Sequence, residues 1–312
     1  MIHVEQHGHV LAIRMSRSIF GRPFWWTTAY WVDGLLIDTG PRFAANALLN
    51  ALRNLHVDQV VITHAHEDQI GGLAAVLRQY PKATIYAAPR TLPILADPTR
   101  ITMPFYRRLV WGEPQPCQLA ISLDTVDNAI RTPNYSFRAL ETPGHTADHI
   151  ALFEAHQRWL FSGDVFSYNQ NSAWAAEADL FGVVSSLRML ADLRPERLFP
   201  SDGRVSRTPL PELHGKIGYF LQLTREVAKL DGLGFTKEEI VLRLFQKEPP
   251  IYFWTVGHYS AASLVDACRS YNALFTQLDY DTSRTTHDAL PNEQTGPSGS
   301  SNWPFDWEDL IR

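Results

Sequence analysis

The sequence predicts an α+β fold: strands covered by helices over residues 1–207, a small helical module over 208–280 and a mostly flexible tail over 281–312. Three observations predict it. Short β-branched runs alternate with segments of helical period up to about residue 200, the pattern of strands with helices packed on them. From about Thr208 the chain becomes long and amphipathic, without strand signals. After Asp281 it turns rich in Ser, Thr, Asn, Pro and Gly, a composition that buries too little apolar surface to order itself.

The elements follow in order. Residues 10–14 and 28–32 read as strands, and Asp33-Gly34 is a hairpin signal leading into 35–40. Residues 44–55 have helix composition, and 57–63 read as a buried strand. Ile70, Leu73, Ala74 and Leu77 recur at helical spacing, so a helix begins near Asp68 and its N-terminus would hold that carboxylate ionised. Residues 84–87 form the next strand. Residues 89–136 are irregular and carry prolines at 89, 93, 98, 104, 114, 116 and 133, with aromatics dense over 103–111. Aromatic side chains are core material by default, so that stretch reads as a packed insertion, with a wall over the active site as the other reading. Residues 137–142, 150–154, 158–162 and 197–199 supply a second strand set, with a helix over 178–193. Beyond Thr208, residues 214–230 read as a long helix. Thr236 with Glu239 makes a capping box, Pro249-Pro250 stops the helix it opens, and 260–274 is a further helix. The sequence Trp-Pro-Phe-Asp-Trp at 303–307 could dock on its own protein or a neighbour, and with the helical module it would serve a homodimer.

Composition narrows the function. A chain of 312 residues holds one large core plus an appendage, and 45% hydrophobic content with a net charge of −5 fits an ordinary globular protein. No Lys/Arg run forms a nucleic-acid footprint, so a nucleic-acid partner is not expected. Cys117 and Cys268 lack CxxC spacing, which argues against a disulfide framework or a thiolate metal site. The start, Ile2-His3-Val4-Glu5, has no basic patch followed by an apolar run; neither a signal peptide nor a membrane span is expected, and the expected compartment is the cytoplasm.

The chemistry concentrates at Thr63-His64-Ala65-His66-Glu67-Asp68-Gln69, directly after the apolar run Val60-Val61-Ile62. Two imidazoles and a carboxylate at alternate positions can converge on a metal if the strand ends there. Three other apolar segments end in candidate ligands: His145 after Pro143-Gly144, Asp164 after Ser162-Gly163, and Asp202 after Pro200-Ser201. A lone Asp beside Gly is usually a turn former. Four such endings in one chain make that reading weak, because α/β scaffolds carry their chemistry on loops at strand ends.

The ordered set Leu35-Leu36-Ile37-Asp38-Thr39-Gly40, Thr63 to Gln69, Pro143-Gly144-His145-Thr146, Ser162-Gly163-Asp164 and Pro200-Ser201-Asp202-Gly203 resembles the metallo-β-lactamase superfamily over roughly residues 10–207. The resemblance implies an αββα sandwich with a metal site between two mixed sheets. The helical module resembles the C-terminal extension of the lactamase-beta-like hydrolases. By the family's motif, His64, His66 and His145 would hold a first metal, Asp164 would bridge two metals and Asp68 would ligate the second. Two positions depart from the motif: Gln69 stands where the family usually has His, and Asp202 where it usually has a final His. A neutral amide is a weaker zinc ligand than imidazole, whereas Asp202 offers an anionic oxygen. The second site would be oxygen-rich, with Gln69 at most a weak ligand. It would favour Mn or Fe, while the first favours zinc, giving one or two ions in all.

A water activated at such a site would attack a carbonyl or phosphoryl centre, with Asp68 and Asp164 orienting it and taking its proton. Arg22, Trp25, Trp26, Tyr106 and Arg107 are the candidate substrate-pocket residues, the aromatics as an apolar wall and the arginines as partners for an anionic group. The altered second site and acidic balance rank a small ester, lactone or thioester first. A phosphodiester, as in the superfamily's nucleases, ranks second, and an inactive scaffold that binds a partner through its helical module third.

Overall fold

A computed structural model describes residues 1–19, 22–168 and 172–286, apart from the side chains of residues 19, 22, 24 and 275–286. Two sheets form its centre. The first runs, in spatial order, Ile2–His7, Val10–Ile19, Arg22–Val32, Leu35–Ile37, Gln59–Ile62, Thr84–Ala87 and Ala120–Ser122. Its first four strands are antiparallel neighbours and its last four parallel ones. Asp33 and Gly34 both take positive φ, 50° and 85°, the turn that suits the twist of the hairpin it joins. The second sheet runs Arg197–Pro200, Trp159–Gly163, Ile150–Glu154, Ser136–Glu141 and Ala129–Arg131.

Strand alternation makes the layers. Val10, Ala12, Tyr30, Ile37 and Val61 face the second sheet and pack with Phe137, Leu152, Phe161 and Phe199. Phe161 and Phe199 stack with centroids 4.6 Å apart. The alternate residues Ile13, Met15, Leu36, Val60 and Ile62 pack with Leu48 and Leu52 of the helix Ala45–Leu52 and Leu73 and Val76 of Leu73–Gln79. On the outer face of the second sheet, Leu140, Ala151, Leu160 and Leu198 meet the helix Leu180–Asp192. The order is helix, sheet, sheet, helix, as expected.

The helices Pro209–Gly232 and Lys237–Phe245 and residues 261–271 bury Leu213, Phe220, Val227, Ile240, Leu264 and Cys268 in the same cluster as Leu180–Asp192. Thr236 and Glu239 make the reciprocal capping box. Residues 1–272 form one compact unit, and the described residues 273–286 fall in a second. The last helix, Ala261–Thr286, continues past Asp281; the aromatic segment at 303–307 lies outside the described residues. No helix among the described residues is long and apolar enough to cross a membrane.

Some elements differ from expectation. Residues 25–27, read as lying between the first strands, belong to the strand Arg22–Val32, where Trp26 pairs with Ser16 beside a shift of register. Ile2–His7 is an edge strand whose side chains are almost all exposed, so it carries no buried-face signal. The irregular stretch contains two short α-helices, Leu92–Ala96 and Phe105–Trp111, two 3-10 turns, Pro98–Arg100 and Leu123–Val126, and the strands Ala120–Ser122 and Ala129–Arg131. Tyr259–Ser260 pairs with Trp174–Ala175 as a two-stranded ribbon.

Candidate metal centre

Five strands end around one hollow. Asp38 follows Leu35–Ile37, Thr63 and His64 follow Gln59–Ile62, His145 follows Ser136–Glu141, Asp164 follows Trp159–Gly163 and Asp202 follows Arg197–Pro200. His64, His66, His145 and Asp164 each present a ligand atom, and these atoms lie within 4.8 Å of one another. His64 Nε2 stands 2.9 Å and His145 Nε2 3.0 Å from His66 Nδ1. Both Nε2 atoms are 3.4 Å from Asp164 Oδ2.

The rings are aimed by neighbours. Asp38, at φ 59°, accepts from both the Thr63 amide and the Thr63 hydroxyl at 2.8 Å. That leaves the Thr63 oxygen to accept from His64 Nδ1–H at 3.0 Å, so Nε2 turns to the cluster. Asp148 accepts from the Ala65 amide at 2.9 Å and the Thr91 hydroxyl at 2.8 Å, fixing the backbone between the two histidines. His149 Nε2 accepts the Asp164 amide at 3.0 Å, and the Ser201 hydroxyl donates to Asp164 Oδ1. Gly163, at φ 52°, admits the His149 ring; a Cβ there would meet Nε2 at 2.5 Å.

Burial and crossed charges set the protonation states. Burial alone would raise the Asp164 carboxyl, but its hydrogen bond to His64 and the surrounding imidazoles hold it well below the usual carboxylate range. Burial works against a charge on His64 as well; Asp164 outweighs it and lifts the ring to about 9. Burial, then the Arg107 charge, pushes His66 well down, and burial brings His145 to about 4. Asp68 rises to about 7, through burial and then the charges of Asp164 and Glu67.

The other expected site residues line or border the same hollow. Trp25, Trp26, Asp68, Tyr106, Arg107 and Asp202 all line it, as do His66, His145 and Asp164. Asp68 and Asp202 are buried but are not among the four converging residues. Asp202 is held elsewhere: its oxygens accept from the Tyr168 amide at 3.0 Å and the Arg204 amide at 3.1 Å. Gln69 turns its amide nitrogen, not its carbonyl, to Asp164 Oδ2 at 3.4 Å, and its carbonyl accepts from the Thr27 hydroxyl. A carboxylate needs a donor, so this orientation is the one chemistry requires. Arg107 donates through Nε to the fully buried Glu67. The Arg22 side chain lies outside the described residues.

Sequence reasoning missed Asp38 and Asp148 as aiming residues, and Glu67 as the anchor of Arg107. It also missed Ile251, Thr255 and Tyr259, which line the hollow from the C-terminal helical segment. The Asp-Thr-Gly run at 38–40 was a usable signal for the first; the others depend on long-range approach and leave no spacing pattern.

The sequence profile of the metallo-beta-lactamase superfamily matches residues 27–202, which include every residue of this cluster. The chain belongs to that superfamily. Its fold and His/Asp cluster imply a divalent metal ion, and the donor set fits one: three imidazole nitrogens and a carboxylate at one point. The chain is 25% identical over 229 residues to the Beta-lactamase-like protein 2 homolog of Drosophila melanogaster, covering 69% of this chain and 65% of that protein. It thus spans just under two thirds of that relative's length. It is 27% identical over 174 residues to Thioesterase pkgB of Emericella nidulans, covering 54% of this chain and 42% of that one. Among solved structures, a beta-lactamase domain protein from Burkholderia ambifaria superposes with a TM-score of 0.65 at 17% identity, covering 88% of each chain, a likeness of fold.

Proposed function

We propose that the protein is a metal-dependent hydrolase of a small carboxylic ester, lactone or thioester, working in the cytoplasm. The observation that carries this reading is the convergence of His64, His66, His145 and Asp164 at the base of an aromatic-walled hollow. His64, His66, His145 and Asp164 would hold one zinc ion; Asp68 and Asp164 would offer oxygen donors to a second, with Mn or Fe favoured there. A divalent ion at this position supplies Lewis acidity, lowering the pKa of a water to about 7 and polarising a carbonyl.

The chain's own residues do the rest. Asp68, buried at the wall of the hollow, takes the proton of the attacking water. Arg107, fixed by Glu67 at the wall, pairs with an anionic group on the substrate. Trp25, Trp26 and Tyr259 exclude water from the acyl group. The thioester member of this class is supported by the name of the fungal thioesterase relative.

The test is elemental analysis of the purified protein, followed by a screen of thioesters, lactones, alkyl esters and phosphodiesters. Stoichiometric metal with turnover of a carbonyl substrate is expected. No bound metal, and no hydrolysis after reconstitution with Zn, Mn or Fe, would leave a scaffold protein instead.

A further inference from the structure

We infer that Tyr106, His258 and Glu177 form a proton relay that delivers a proton to the departing oxygen of the substrate, which fits the site to alkyl esters and lactones. The inference rests on the carbonyl-hydrolase reading above and narrows it. The Tyr106 hydroxyl is 2.5 Å from His258 Nδ1, and His258 Nε2 is 2.8 and 2.9 Å from the two Glu177 oxygens. The three residues come from distant segments: the helix Phe105–Trp111, the turn before Tyr259–Ser260 and the loop after Trp174–Ala175. The ribbon pairing Ala175 with Tyr259 brings the last two together. Tyr106 lines the hollow with His66, Asp68 and Asp164, while Glu177, at 49% side-chain exposure, reaches solvent at the other end.

The direction of the relay follows from donor and acceptor chemistry. A carboxylate only accepts, so His258 Nε2–H donates to Glu177. In the neutral ring Nδ1 accepts from the Tyr106 hydroxyl. A proton entering through the hollow joins the phenol oxygen as the phenol hydrogen passes to Nδ1, and Glu177 stabilises the imidazolium so formed; Nδ1–H then donates to the phenol oxygen and the new phenol hydrogen turns to the hollow. As the carbon–oxygen bond to the leaving group breaks, the departing oxygen takes that hydrogen. Nδ1–H moves onto the phenol oxygen, and His258 returns to its neutral form. The proton that Asp68 removes from water goes back to solvent, so one water is consumed and one acid and one alcohol are made. Burial raises the Tyr106 hydroxyl well above its ordinary value, with Arg107, Glu67, Glu177 and Asp68 the charges nearby. A free phenolate is therefore disfavoured and the hand-off is concerted. An alkoxide needs this proton because it is a poor leaving group; a thiolate does not.

The experiment compares an ethyl ester and an ethyl thioester of the same short acyl chain. In Tyr106→Phe the ratio of kcat/KM on the ester to that on the thioester should fall about 10²-fold. His258→Gln and Glu177→Gln should lower the same ratio. The ¹⁵N resonances of the His258 ring should show Nε2 protonated in the wild type and Nδ1 shifted in Tyr106→Phe. An equal loss on both substrates, or an unmoved Nδ1, would overturn the relay while leaving the hydrolase reading intact. A wild type that cleaves neither substrate would overturn both.

Discussion

The His64 ring is committed at both nitrogens, to the Thr63 hydroxyl on one side and to His66 and Asp164 on the other. Replacing it removes a proposed ligand and the partner that keeps Asp164 ionised. His64→Ala should therefore abolish turnover and most bound metal; elemental analysis beside the wild type checks this, and unchanged occupancy would refute it. Asp38→Asn keeps the shape but weakens the acceptor that orients Thr63, so metal affinity should fall about 10–100-fold without loss of fold. Asp202 separates the two ways an acid can matter here. Its carboxylate holds the Tyr168 and Arg204 amides, so Asp202→Ala should destabilise the chain by about 1–3 kcal/mol in a urea titration. Because it stands outside the converging set, the variant should retain one ion per chain. Loss of that ion would instead make Asp202 a ligand.

At the scale of elements, the candidate ligands His145 and Asp164 each follow a glycine that admits no larger residue. Gly144, at φ 134°, lies against the start of Leu180–Asp192, where a Cβ would meet the Val183 amide nitrogen at 2.2 Å. Gly144→Ala must push the helix or the loop away and should cost about 3 kcal/mol or more, with His145 displaced and metal occupancy lowered. The capping box is the opposite case. Thr236→Ala should lower Tm by about 2–4 °C and leave turnover unchanged, since the cap is exposed and serves only its own helix. The same contrast explains what could be read from the chain. The strands at 59–62 and 159–163 are short apolar runs that lead straight into His64 and Asp164, so the run located both the element and the candidate ligand. The ribbon of Tyr259–Ser260 with Trp174–Ala175 joins two-residue strands far apart in sequence, too short to have a period. Glu67 with Arg107, and Tyr106 with His258, pair across irregular segments, and no local pattern announces such a contact.

For the whole molecule, metal binding, protonation and folding are one linked equilibrium. Without metal, His64 sits at about 9 in the folded chain against an ordinary 6.5, so its contribution to stability is complete below the unfolded value and is lost as pH rises through the folded one. A bound ion reverses that sign, because it takes the neutral ring and must displace the proton. His145, already at about 4, offers no competing proton near neutrality, while Asp68, at about 7, adds part of one if it joins the site. Affinity should therefore climb with pH up to about 9, by at most about 1.4 kcal/mol per unit for each proton released. At a thousandfold excess of ion over Kd the folded state gains about 4 kcal/mol, and that gain shrinks as acid protonates His64. Chelation should then lower Tm more at about pH 8 than at about pH 6. Titration calorimetry in two buffers of different ionisation enthalpy should count close to one proton released per ion at neutral pH. An equal drop in Tm at both pH values, with no proton released, would mean that His64 is not the group the metal displaces, and the convergence of its Nε2 on Asp164 would then need another occupant.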